Sequence, residues 1–135
     1  MYPVAVADLP HVLPECIDFL RQATGETAGK AVNCGDEILD DVLIALADGF
    51  YTLWLEPGKF AAVVEIRNFP RQRVATIVYC GGSDLDCIKG CFEHGRQWCR
   101  EHDVQVLRVY GREGWERLLG LERIGVVLQT RVTHG

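Results

Sequence analysis

A chain of 135 residues, 48% apolar and 24% charged, has the size and make-up of one globular domain. Fourteen Lys and Arg against nineteen Asp and Glu leave a net charge of −5, which argues against nucleic-acid binding, since that needs a basic face. No apolar run is long enough to span a membrane, and Met1 to Pro10 lacks the basic start and apolar stretch of a signal peptide.

Val4 to Ala7 reads as a short strand. Asp8 is placed to cap a helix, with Pro10 in its first turn. Leu13, Cys16, Ile17 and Leu20 then recur at helical spacing up to Gly25. Pro14 must fall in that first turn or kink the helix. Gly25 to Gly35 is a polar loop. Asp36 to Asp48 predicts a second helix, with Ile38, Val42, Ala45 and Leu46 as its apolar stripe and Gly49 as its stop.

The period then changes. Phe50 to Leu55, Phe60 to Ile66 and Val74 to Cys80 have strand composition. They are joined by turns at Pro57-Gly58 and at Asn68 to Gln72, which makes an antiparallel meander. Gly81-Gly82 ends the third strand. Ser83 followed by Asp86 fits a capping box, so a long helix should begin near Asp84 and run to His102, burying Leu85, Ile88, Phe92 and Cys99. Val104 to Tyr110 is a strand, and a strand-helix-strand crossover implies that it runs parallel to Val74–Cys80. Arg112 to Leu119 is a short helix, and Ile124 to Val132 a last strand. The expected fold class is α/β (α+β). It is a single domain spanning residues 1–135, in the order β-α-α-β-β-β-α-β-α-β, with a mixed, mostly antiparallel sheet of about six strands and helices on both faces.

This order resembles that of GNAT-type N-acetyltransferases along almost the whole chain. In that family the strand before the long helix ends in a loop of pattern (Arg/Gln)-x-x-Gly-x-(Gly/Ala), whose backbone amides hold the pyrophosphate of acetyl-CoA. A helix start offers an anion unpaired N–H groups and a positive dipole end. The equivalent stretch here is Cys80-Gly81-Gly82-Ser83-Asp84-Leu85-Asp86. The resemblance implies Gly81, Gly82 and Ser83 as cofactor-binding residues. The family's Arg or Gln and its later glycine are absent, and Asp84 and Asp86 put negative charge where the anion would lie. Gly111 to Leu121, Gly-Arg-Glu-Gly-Trp-Glu-Arg-Leu-Leu-Gly-Leu, is similar to the family's Tyr-Glu-Arg-Leu-Gly-Phe helix, but Trp115 stands in place of the tyrosine that serves as general acid. An indole N–H donates a hydrogen bond without giving up its proton. The Gly-Arg-x-Gly-Trp wording also resembles small GNAT-like proteins of tailed bacteriophages, of the internal virion protein type.

Glu65 is the candidate general base. On an alternating strand it shares a face with Ala61 and Val63, opposite Ala62, Val64 and Ile66. Tyr79 and Tyr110 end two adjoining strands and are the candidate acids. As ordinary residues, Glu65 would pair with Arg67 or Arg73, and the tyrosines would be packed rings with wet hydroxyls. Cys87, Cys91 and His94 share a helical face, but without a Cys-x-x-Cys knuckle they read as buried apolar residues, so no metal site is expected. The six cysteines (16, 34, 80, 87, 91 and 99) are expected to be mostly reduced. Arg67, Arg71 and Arg73 read as a solvated hairpin end.

Two functions remain open. The one favoured by Asp84, Asp86 and Trp115 is a catalytically degenerate GNAT-fold phage-type protein. It would act as a virion-associated structural or interaction module without cofactor, partnered by other virion proteins or by copies of itself. It would be made in the host cytoplasm, with neither membrane nor nucleic acid as partner. The alternative is an active N-acetyltransferase acting on an amine of a small molecule or protein. It would bind acetyl-CoA at Gly81, Gly82 and Ser83 and use Glu65 as base with Tyr79 or Tyr110 as acid.

Overall fold

The computed structural model describes residues 1–26, 36–82, 87–110 and 113–132. Five strands form one sheet in the order β1-β2-β3-β4-β5: β1 (Tyr2–Val4), β2 (Tyr51–Glu56), β3 (Phe60–Asn68), β4 (Arg73–Gly82) and β5 (Val106–Val109). The first three pairings are antiparallel and β4–β5 is parallel, as the crossover requires. Among the described residues four α-helices accompany them: α1 (Leu9–Ala23), α2 (Leu39–Ala47), α3 (Ile88–Glu101) and α4 (Glu113–Leu118). No described helix is long and apolar enough to cross a membrane.

Sequence periodicity explains the layering. Leu9, Cys16, Leu20 and Ala23 of α1 and Leu39, Val42 and Leu46 of α2 bury themselves against Leu53, Leu55, Ala61 and Val63 on one face of the sheet. Ile88, Cys91, Phe92 and Cys99 of α3 do the same against Trp54, Ala62, Val64, Ala75 and Ile77 on the other. Strand β3 is thus covered on both faces, and Ala61 to Val64 are fully buried. Gly95 lets α3 sit directly on the Trp54 indole, since a Cβ there would lie 2.8 Å from Trp54 Cζ3.

Several local expectations are corrected. The first strand is Tyr2–Val4, because a 3-10 turn at Val6–Asp8, closed by Asp8 N–H donating to Ala5 O (2.9 Å), takes up the following residues. Asp8 precedes α1 but its side chain makes no capping hydrogen bond. Helix α2 starts at Leu39, where the Asp41 carboxylate accepts from Ile38 N–H (3.0 Å). Ile38 therefore stays exposed, and Leu39 takes its place in the stripe. The sixth strand is absent among the described residues: Ile124 to Val132 carries no regular hydrogen-bonded structure, and every residue of it is exposed. Strand composition alone does not make a strand; a ladder partner must supply the backbone hydrogen bonds.

Two further features of β4 place the site. Between Val63 and Val64 the β3–β4 register slips by one, because Val63 lies opposite Tyr79 while Val64 lies opposite Ile77. Val78 is therefore the extra residue of a β-bulge, and Val78 and Tyr79 both face α1 and α2 although Ala75 and Ile77 face α3. The ladder to β5 ends at Ile77–Val109, with one further bond from Tyr110 N–H to Ile77 O (3.0 Å), while β4 runs on to Gly82. At its other end the crossover is closed by Arg73. Its backbone N–H donates to Gln105 Oε1 (2.8 Å), its carbonyl accepts from Gln105 N–H (3.1 Å), and its Nη1 donates to His102 O (2.8 Å).

Candidate active site

Alternation along β2 points Tyr51, Leu53 and Leu55 toward α1 and α2. The bulge at Val78 turns Tyr79 to the same side. Without it, Tyr79 would follow Ala75 and Ile77 to the α3 face. The two hydroxyls converge: Tyr51 and Tyr79 both donate to Glu37 Oε1, at 2.7 and 2.8 Å. Their rings meet edge to face at 6.5 Å between centroids. Both tyrosines are buried and Glu37, just ahead of α2, is half-buried.

Glu65 lies directly opposite Tyr51 across the β2–β3 ladder and opposite Thr76 across β3–β4. Its face is the expected one, shared with Ala61 and Val63. Its carboxylate is paired with Arg67 Nε at 3.6 Å, and its side chain is only 21% exposed. The Tyr51 hydroxyl is pushed well above its ordinary value of 10.0, first by burial, then by the hydrogen bond to Glu37, then by the negative charge of Glu37, with Glu65 and Tyr110 adding smaller electrostatic contributions. Two carboxylates and three phenols thus share one region on the α1/α2 side of the sheet. Tyr110 closes it at the end of β5, with its side chain 69% exposed.

The glycine pair has a reason within the protein. A Cβ on Gly81 would lie 2.4 Å from Phe19 O of α1, and one on Gly82 would lie 2.3 Å from Lys59 O. Both positions are glycine because the chain's own backbone passes there. Ser83, Asp84 and Asp86 lie outside the described residues. Trp115 packs with Leu119 and Leu121 on the α3-side core. Among the described residues no group of three metal-ligating side chains occurs. Cys87 and Cys91 have their sulfurs 3.8 Å apart, and burial, followed by the contact with Cys87, pushes the Cys91 thiol up to about 11, which keeps it protonated and unreactive. Cys34 lies outside the described residues.

Glu37 and Tyr51 were not singled out from sequence. The pairing of Tyr51 with Glu65 follows from register and was in principle readable. Glu37 carries no periodic or motif signal. Only the fold brings it to two strands far away in sequence.

Neither a protein-family model nor a curated protein matches the chain. Solved structures do. A probable acetyltransferase superposes with a TM-score of 0.61 at 11% identity, covering 98% of this chain and 96% of the other. An aminoglycoside acetyltransferase from an uncultured soil metagenomic sample, meta-AAC0020 in complex with sisomicin, gives 0.61 at 13% identity, covering 97% and 94%. An integron cassette protein from the mobile metagenome of Cole Harbour Salt Marsh gives 0.60 at 16% identity, covering 99% and 90%. The protein is a mixed α+β single-sheet domain of the GNAT-like acetyltransferase fold.

Proposed function

We propose that the protein is an acetyl-CoA-dependent N-acetyltransferase whose acceptor is a cationic amine. The observation that carries this reading is the meeting of Glu37 and Glu65 with Tyr51, Tyr79 and Tyr110 beside the point where β4 and β5 part. A fold shared with acetyltransferases raises the prior without deciding the chemistry.

β4 continues for several residues beyond its ladder with β5, so β5 does not cover its edge there, and the extended, amide-bearing arm of acetyl-CoA would lie along it. Gly81, Gly82 and Ser83 at the end of that strand would hold the phosphates. Bound acetyl-CoA supplies an acetyl thioester, and transfer forms a C–N bond while the C–S bond breaks. Glu37 and Glu65 attract and orient the acceptor ammonium. Glu65 takes the proton that frees the nitrogen lone pair. Tyr79 commits its hydroxyl proton to Glu37 and acts as a positioning residue. Tyr110, exposed at the mouth, gives its proton to the departing sulfur and regains one from solvent.

The test is thiol release from acetyl-CoA with a panel of polyamines and amino sugars, alongside melting temperature with acetyl-CoA alone. A ligand of the native state raises the melting point by mass action. Release by the natural chain, at least tenfold reduced in Glu65→Gln with the melting shift retained, supports the reading. No release and no shift at millimolar acetyl-CoA removes it.

A non-catalytic role in a bacteriophage particle is the second reading, favoured by Trp115 in place of an acid and by Asp84 and Asp86 ahead of α3. Stoichiometric presence of the chain in purified particles, without thiol release, would support it.

A further inference from the structure

The row of side chains that holds Glu65 does not end at β4. Cross-strand register sets Tyr51 opposite Glu65, Glu65 opposite Thr76 and Thr76 opposite Arg108, so one line of polar residues crosses four strands. Leu107 and Val109 pack on the α3-side core, and alternation turns Arg108, between them, to the α1/α2 side of the sheet. Ala75 and Ile77 fix Thr76 to that side in the same way. Glu65 and Arg108 therefore stand on the same face, two strand spacings or about 10 Å apart.

Charge along this row is uneven. Glu65 is already paired with Arg67 at 3.6 Å. Arg108 is half-exposed, and its Nε is buried without an acceptor among the described residues. Its guanidinium lies 5.9 Å from the centroid of the Phe69 ring, and that of Arg67 lies 4.8 Å from the same centroid, so two cations gather at one aromatic side chain. A ring attracts a cation but does not take its N–H groups as a carboxylate does. A buried donor left unmet costs free energy until an acceptor reaches the group. Acetyl transfer to a bare amine has no use for this charge, which repels an incoming ammonium.

We propose, on the acetyltransferase reading, that the acceptor is an amino acid whose carboxylate is bound by Arg108 while its ammonium faces Glu65. The carboxylate carries the single charge that Arg108 lacks, and a planar guanidinium matches it with two parallel hydrogen bonds. An amino acid, with its two charges a few bonds apart, spans what the two side chains leave of the interval between them. A diamine would instead set its second cation against Arg108 and Arg67. Arg108 is thus a specificity residue, selecting the acceptor without moving a proton.

Calorimetry, with and without coenzyme A, and thiol release from acetyl-CoA are compared for amino acids and for amines that lack only the carboxylate: phenylalanine against phenethylamine, lysine against cadaverine, β-alanine against ethylamine. In the natural chain the amino acid of at least one pair should bind at least about tenfold tighter, and kcat/KM should favour it likewise. Arg108→Gln should erase the preference, and Arg108→Lys, which keeps the charge and loses the fork, should restore part of it. The melting shift given by acetyl-CoA alone should be the same in all three chains. Equal binding within every pair, binding of neither member at millimolar concentration, or a preference that survives in Arg108→Gln overturns the proposal. Thiol release with polyamines or amino sugars and none with amino acids also overturns it, while leaving acetyl transfer standing. Amino-acid binding that needs Arg108, without thiol release and without a shift from acetyl-CoA, supports the carboxylate site and removes acetyl transfer.

Discussion

At the scale of single residues, Glu37 is the hinge of the site. One carboxylate oxygen accepts from two buried phenols, and hydrogen bonds to a charged acceptor are worth about 1.5–3 kcal/mol each. The consequence for Tyr51 has a definite sign. Its folded-state value is raised, so its contribution to stability is complete below the ordinary value of 10.0 and is lost as pH climbs beyond it, where the unfolded chain releases the proton first. Urea midpoints measured from pH 8 to 11.5 should therefore fall steeply above pH 10 in the natural chain and more gently in Tyr51→Phe. Parallel curves would mean that neither burial nor Glu37 holds the hydroxyl proton on Tyr51. Neither residue was legible as a pair from sequence, because the Tyr79 side of the triad depends on the extra residue at Val78. A period-two reading sends Tyr79 to the opposite face.

At the scale of elements, most of the architecture was legible, because it rests on periodicity. The meander of β2, β3 and β4, the crossover through α3 and the alternation of Ala61 to Ile66 between two faces all follow from apolar spacing and turn residues. What spacing cannot supply is a partner. Ile124 to Val132 has every local property of a strand, yet nothing in its own residues says which edge it joins. The glycines illustrate the same division. Gly81 reads from sequence as a position for a ligand, and the fold adds a reason that spacing does not show: its missing Cβ makes room for Phe19 O of α1. Gly90, on the exposed side of α3, has nothing within 4 Å of where a Cβ would stand. Gly90→Ala should therefore stabilise the protein by about 0.5–1 kcal/mol, the ordinary helical gain. Gly81→Ala should cost several times as much, since backbone must move. Chemical denaturation of the two variants checks this, and a tolerated Gly81→Ala would show that α1 does not press on β4.

Viewed as a whole molecule, the protein is one sheet with a separate apolar core on each face. The solved acetyltransferases share that plan at 11–13% identity, so what is held in common is the placement of elements and not the residues that fill them. The centre of the sheet and its margins differ in how they are assembled. Short turns join β2 to β3 and β3 to β4, so the centre of the sheet needs only local contacts. Its margins need distant ones: Met1 reaches Glu56 across 55 positions, and Arg73 reaches Gln105 across 32. Ends so far apart meet slowly, because loop closure must be completed before any contact stabilises it.

Arg73 grips both His102 and Gln105, so we expect the parallel strand to dock once α3 has wound to its last turn. Pulse labelling of amides during refolding should therefore find β3 shielded before β5. Replacing Arg73 by Ala should delay β5 while the meander keeps its pace; simultaneous shielding of all five strands would contradict this order. A nascent chain passing through that interval would hold a finished centre and one raw margin, which makes the lag before β5 arrives the moment of greatest exposure to wrong neighbours.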